Sequence, residues 1–188
     1  MIKKLTIPVD HGNRNMKTPH FLFTTGLSST DRKPAGREDF LQTDGKYYVL
    51  SGKRIPYQRD KTQDERFSIL TRFAIAKELE RTGQVTDEDV VQVSLPIGVP
   101  PKHYAELAER YREYFLGDGK VQDLVYNGRT YHTCIRDVAV YPQAYAAMMT
   151  EGEKIRQIPK AVGIDIGGFT SDFLLMRSGS PCLDYCDS

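Results

Sequence analysis

The sequence predicts an α/β protein, and three observations carry that expectation. Short β-rich segments bounded by Gly, Asn, Pro and Ser recur along the chain. Two longer segments, near 63–81 and 102–116, place apolar residues at helical spacing. An apolar fraction of 39% over 188 residues supplies a sizeable core, and strands mixed with helices in this order belong to the α/β class. No fixed-period repeat and no low-complexity linker divides the chain.

The opening "IKKLTIPVD" alternates as a strand ending at Asp10, and after the turn "HGNRN" a second extended segment runs from Met16 to about Thr25. "KYYVLSGKRI" reads as a hairpin turning at Ser51-Gly52. The first helix is expected from about Gln63 to Arg81. Thr62 and Glu65 form a capping-box pattern, and Gly83 is its stop. Its apolar set, Phe67, Ile69, Leu70, Phe73, Ala74, Ala76 and Leu79, covers a wide face to be buried. "VVQVSLP" is a strand ending at Pro96. The second helix, about Lys102 to Leu116, carries one stripe of Tyr104, Leu107, Tyr111 and Phe115 and stops at Gly117. "KVQDLVYNG" and "RTYHTCIRDVAVYP" make a hairpin about Asn127-Gly128. A short helix from about Gln143 to Thr150 leads to a final hairpin, "AVGIDIGG" with "SDFLLMRS".

Composition narrows the function. With 26 Lys+Arg against 25 Asp+Glu, the net charge of +1 offers no broad basic face for nucleic acid. No apolar run approaches the roughly 20 residues of a membrane span, and the N-terminus is not a secretory signal. The three cysteines, Cys134, Cys182 and Cys186, lack the pairs of a zinc site. A cytoplasmic protein without membrane or direct nucleic-acid contact is expected.

Two segments are built alike: Ile7-Pro8-Val9-Asp10-His11-Gly12-Asn13, and Gly163 through Asp172 in "GIDIGGFTSD". Each is an apolar strand delivering an Asp to a small-residue turn and a return strand. Glycine lets backbone N–H groups converge on an anion such as phosphate. An Asp there would repel phosphate unless a cation intervenes, and hydrated Mg²⁺ takes only one or two carboxylates. Lys17, near the start of the return strand, could reach the phosphate as a point charge. Read singly, either segment is better explained as a tight hairpin whose glycines serve the turn, since such turns are common. The second, D-x-G-G-x-T-x-D, is the more specific, and the two together point to nucleotide. His11 could touch phosphate or face solvent, Asp172 could fix the second hairpin, and Arg136-Asp137 could be an ion pair near the site. His20, His103 and His132 suggest no ligand set. "KKL", "DRK" and "GREDF" read as solvated surface.

Asp165-Ile-Gly-Gly-Phe-Thr-Ser-Asp172 resembles the second phosphate motif of the actin, heat-shock chaperone and sugar-kinase ATPase superfamily, and Asp10-His-Gly-Asn-Arg-Asn-Met-Lys17 resembles its first. "DVAVYPQAYAA" resembles the connecting segment whose polar residue, here Gln143, orients the attacking water. "GKYYVLSGKRIPY" and "ERFSILTRFAIAKEL" are most similar to bacterial plasmid-segregation actins of the ParM and Alp type. The resemblance implies a ribonuclease H-like, actin-type lobe I, a mixed sheet flanked by helices, over 1–155, with a small inserted subdomain at roughly 30–65. Residues 156–188 would be a connector and the first β-hairpin of an incomplete lobe II.

It further implies that Asp10 and Asp165 hold the water shell of Mg²⁺, that Gly12, Asn13 and Lys17 contact phosphate from one side, and that Gly167, Gly168 and Thr170 do so from the other. Gln143 would orient water for in-line attack, although from the residues alone it reads as a helix-start side chain bonded to nearby backbone. The implied parent binds ATP with Mg²⁺, hydrolyses it, polymerises head to tail and serves plasmid or DNA segregation through an adaptor protein. A non-hydrolysing scaffold of the same fold and a metabolite kinase are the alternatives, and ATP versus GTP stays open. Compared with that pattern, the part of lobe II that holds adenine and ribose does not follow "CLDYCDS". A fragment with poor nucleotide affinity is expected, whose last hairpin packs back on lobe I or pairs with a neighbour through its edge.

Overall fold

The computed structural model describes residues 1–36, 39–43 and 45–187. Strand β1 (Ile2–Thr6) lies parallel to β8 (Val90–Val99), which in turn lies parallel to β10 (Arg129–Pro142). β9 (Gln122–Tyr126) pairs antiparallel with β10 across Asn127-Gly128, whose φ values of 52° and 84° both fall in the left-handed region that such a two-residue turn requires. Beyond β9 come β6 (Phe40–Thr43), β7 (Lys46–Leu50) and β5 (Leu27–Thr30), so one 7-stranded mixed sheet runs β1-β8-β10-β9-β6-β7-β5. Two small sheets complete the strands: β2 (Asp10–His11), β3 (Asn15–Lys17) and β4 (Leu22–Thr24); and β11 (Lys160–Ile166), β12 (Ser171–Arg177) and β13 (Ser180–Pro181). The α/β expectation therefore holds.

Helices α1 (Arg66–Thr82) and α2 (Tyr104–Leu116) cover the sheet. Alternation along β8 buries Val91, Val93, Leu95, Ile97 and Val99 beneath them, while the other face is half-buried. Every member of the apolar set expected on α1 is buried, and of the α2 stripe Leu107, Tyr111 and Phe115 are buried with Tyr104 packed beside them. Gly83 ends α1 in the left-handed conformation at φ 61°.

Several boundaries differ from expectation. The capping box does not form: α1 begins at Arg66, whose N–H is accepted by Asp64 Oδ1, and Thr62 instead bonds Asp60. Pro8 interrupts the first strand, although Val9 still bridges Ile97 along β8. The segment from Met16 to Thr25 is two strands, because Pro19 sits in a turn closed by Thr18 and Phe21. That turn is tied to α1 by Glu78, which accepts from Thr18 Oγ1 (2.5 Å) and His20 Nδ1 (2.8 Å). No hairpin forms at Ser51-Gly52: β7 pairs with β6 and β5, and residues beyond Ser51 run as irregular chain held by bonds such as Ile55 N to Thr25 O. β8 continues through Pro96, whose carbonyl still accepts from Val9 N at 3.0 Å. The helix expected from Gln143 starts at Tyr145 as α3 (Tyr145–Met149), and a further short helix, α4 (Gly152–Gln157), follows. Arg37 and Glu38 of "GREDF" lie outside the described residues.

The last hairpin, β11 with β12, packs one face inward. Leu174 and Met176 meet Ile155 of α4 together with Ala144, Tyr145, Met148 and Met149 around α3. Its other face exposes Val162, Ile164, Ile166 and Phe173.

Tyr111 joins this frame to the irregular segment before α1: its hydroxyl accepts from Lys61 N–H (3.1 Å) and lies 3.4 Å from Arg59 O. Tyr111→Phe leaves that buried N–H without an acceptor, and urea unfolding should show a loss of about 1–3 kcal/mol.

Candidate functional site

A cleft of about 570 Å³ opens between the β2–β3 turn and the β11–β12 turn. Asp10, Gly12, Asn13, Lys17, Gln143, Asp165, Gly167, Gly168 and Thr170 all line it, so the residues singled out in the sequence meet in one place.

The first wall is set by strand alternation. His11 turns inward and is fully buried, its ring 4.4 Å from that of Phe115 and its Nε2 2.7 Å from Thr71 Oγ1. Burial, helped by Lys61, pushes it well below the ordinary imidazole value, so it is neutral. His11 therefore neither touches phosphate nor faces solvent; its side chain serves the core. Asp10 and Gly12, its neighbours, face the cleft. Thr25 Oγ1 donates to Gly12 O at 2.6 Å, and a Cβ on Gly12 would stand 2.5 Å from Asn15 O, so glycine is required by close backbone approach. Asn13 Oδ1 accepts from Gln58 N at 3.1 Å. Asp10 and Lys17 sit opposite each other across β2 and β3 and pair at 2.8 Å. The hydrogen bond to Asp10 raises Lys17 above the ordinary lysine value.

The second wall is the turn from Asp165 to Asp172, residues that face each other in register across β11 and β12. Gly167 N donates to Thr170 O at 2.9 Å and closes the turn. A Cβ on Gly168 would lie 2.6 Å from Arg14, so the two walls touch there. Asp172 is buried and its Oδ1 has no hydrogen-bond partner, so it does not fix the hairpin through that atom. Burial, then the neighbouring Asp165, pushes its carboxyl up to about 6.

Gln143 lies between the walls, at the end of β10. Its N–H donates to Val99 O at 2.8 Å, its Cγ approaches Gly98, and the next residue, Ala144, takes φ 65°. A non-glycine residue in the left-handed region is uncommon and swings the chain from strand into α3 at this point.

The irregular segment before α1 adds Tyr57, Arg59 and Lys61, and the turn before α2 adds Lys102 and His103. Sequence reasoning missed these as site residues; only the fold of 51–65 and of the turn before α2 brings them to the cleft. Lys61 is buried, donates to His11 O, and is lowered to about 8 by burial against the pull of Asp10 and Asp172. Arg59 Nη2 lies 2.8 Å from His103 Nδ1. Arg136 and Asp137 lie away from the cleft, exposed at an irregularity in β10, and among the described residues they form no ion pair.

Among the described residues no cluster of three His, Cys, Asp or Glu side chains could cage a metal. Asp10 and Asp165 on opposite walls, with the orphaned Asp172 oxygen beside them, fit a divalent cation that keeps most of its own water, as Mg²⁺ does. All three cysteines are free.

A mixed sheet carrying paired acidic turns across one cleft defines an actin-type lobe. The match of the family of actin like proteins N terminal domain to residues 9–145 places the chain in that family, to which it belongs. Among solved structures it is similar to apo pSK41 ParM (12% identity, TM-score 0.76, 98% of this chain and 65% of that one). It is also similar to Alp12 in its filament (18%, 0.71, 98% and 60%). Ta0583, an archaeal actin homolog in complex with ADP, gives 19% identity and a TM-score of 0.70, covering 97% of this chain and 60% of that one. The chain thus spans about 65% or less of the length of these three neighbours. No curated protein sequence matches it. Among the described residues no helix is long and apolar enough to cross a membrane.

The raised carboxyl of Asp172 fixes a pH dependence. Its folded value of about 6 lies above its ordinary 3.8, so the folded chain holds a proton that the unfolded chain releases. This group's contribution to stability grows as pH falls through 6 and is lost as pH rises through it. Asp172→Asn removes the titration and should raise Tm by roughly 3–6 °C at about pH 8, by about half as much at about pH 5, and little once the pH falls below the ordinary value of 3.8, read by thermal unfolding.

Proposed function

We propose that this cleft binds ATP with Mg²⁺ and that the chain is the nucleotide-binding lobe of a filament-forming actin-like ATPase acting in plasmid or DNA segregation. The observation that carries the reading is the convergence of the Asp10 and Asp165 turns, with Gln143 between them, on one cleft. Family membership supports it, as do the solved filaments of Alp12 and of AlfA bound to AMPPNP and the ADP complex of Ta0583.

Asp10 and Asp165 would hold the waters of Mg²⁺, which when bound neutralises charge on the phosphates. The exposed Asp10–Lys17 pair, at 2.8 Å, contributes little to stability and is readily exchanged. Lys17 can therefore turn to a phosphate and release Asp10 to the metal's water shell. Backbone N–H groups around Gly12, Gly167 and Gly168 and the hydroxyl of Thr170 complete the cradle. Gln143, anchored through its backbone to Val99, orients water in line with the terminal phosphate. An amide is no strong base, so hydrolysis is slow and depends on geometry.

Head-to-tail contacts between copies generate an open filament. An adaptor protein would join that filament to DNA in the cytoplasm, because a net charge of +1 gives no direct grip on nucleic acid.

Calorimetric titration with Mg·ATP tests the binding. Saturable heat that vanishes with EDTA, and that weakens by about tenfold or more in Asp165→Ala, is expected. No heat with Mg·ATP or Mg·GTP at millimolar concentration would sink the reading. Gln143→Ala should keep the affinity and lower phosphate release by about 10²-fold. Sedimentation with and without Mg·ATP reports whether copies polymerise.

A further inference from the structure

The cleft is not uniform in depth. Tyr57 and Phe169 stand at its rim, 50% and 54% exposed, and Arg59 and Lys102 are exposed beside them, whereas Lys61 at the floor is 4% exposed. Its backbone is held by the Tyr111 hydroxyl, and the preceding Asp60 is fixed by Arg110 at 2.5 Å. The side chain then runs along the ring of Phe67, with Nζ 5.6 Å from the centroid, and donates to His11 O.

An ammonium has three protons to donate, and this carbonyl accepts one. Among the described residues no carboxylate forms an ion pair with Lys61: of the two whose charge acts on it, Asp10 is paired with Lys17, and Asp172, buried at the same floor, keeps an oxygen without a hydrogen-bond partner and makes no contact with the ammonium within ion-pair distance. A buried cation without a paired anion is costly to the fold, so a site that keeps one is built to receive an anion. Lys17 differs: it is 56% exposed and already neutralised by Asp10. Of the parts of a nucleotide, the outermost phosphate is the compact, charged end whose chemistry matches a buried ammonium.

We propose that Lys61 is the floor of the anion site, donating to the outermost phosphate of a nucleoside triphosphate and thereby favouring triphosphate over diphosphate. This rests on the nucleotide reading above and adds to it a residue from the segment between the sheet and α1. The same ammonium holds the carbonyl of His11, so the terminal phosphate, the Asp10 turn and this segment share one donor. Loss of the terminal phosphate returns Lys61 to a single acceptor.

The 188-residue chain and its Lys61→Met variant, which keeps an unbranched apolar stem one atom shorter and removes the charge, are titrated with Mg·ATP and with Mg·ADP. The variant should lose Mg·ATP affinity by about tenfold or more while Mg·ADP changes by less than about twofold. Equal weakening of both, or of neither, overturns the proposal while the nucleotide reading stands. Absence of Mg·ATP binding by the unaltered chain overturns both. Should Lys61→Met show no cooperative melting, acetic anhydride labelling of the unaltered chain, mapped by mass spectrometry, decides. Protection of Lys61 by Mg·ATP beyond that given by Mg·ADP supports the role, and equal labelling overturns it.

Discussion

Burial of His11 beneath the turn that carries Asp10 is the constraint on which the site depends, because extended backbone sends successive side chains to opposite faces. With His11 seated against Phe115 and Thr71, Asp10 and Gly12 have no choice but the cleft. Its neutral ring costs less to bury than an imidazolium, which is why burial and the nearby Lys61 cation push in the same direction. The His11 carbonyl accepts from Lys61, and Tyr111 of the same helix as Phe115 holds the Lys61 N–H. One helix thus supports the turn from below and the cleft floor from the side.

The electrostatics of the cleft follow from depth. At the exposed mouth, Asp10 and Lys17 satisfy each other and solvent screens them. At the floor, Asp172 and Lys61 are both buried and move in opposite directions, the carboxyl up and the ammonium down, each toward its neutral form. A protein built only for stability would fill such a floor with apolar side chains. Polar groups kept there without full partners mark a place where something else supplies them.

The second wall is held differently. β11 and β12 form only a small sheet with β13, and such a hairpin is marginal unless one face is packed. Packing comes from α3, which begins just past Gln143, and from α4 after it, so the left-handed residue Ala144 that leads from β10 into α3 also helps seat the hairpin. Lys102 adds an ion pair to Asp187 at 2.5 Å, joining the turn before α2 to the chain end of this unit. The hairpin packs back on the rest of the chain, as expected, and its other face, with Val162, Ile164 and Ile166, is exposed.

Local patterns in the sequence determined the class, the two long helices, the Asn127-Gly128 hairpin and the two acidic glycine turns. These depend on side-chain spacing and turn chemistry within a few residues, which the chain carries wherever it folds. Of the nine expected residues that line the cleft, eight were legible because each turn is a compact motif, whereas Gln143 was marked only by the family resemblance. Tertiary structure decided what local spacing cannot reach: that β8 runs through Pro96, since its carbonyl still meets Val9; that β7 pairs with β6 and β5 and makes no hairpin at Ser51-Gly52. It also decided that His11 goes inward and that Lys61, from a segment without periodicity, lies at the cleft floor. Those outcomes turn on which distant surfaces become dry, and burial belongs to the assembled fold, not to any stretch of it.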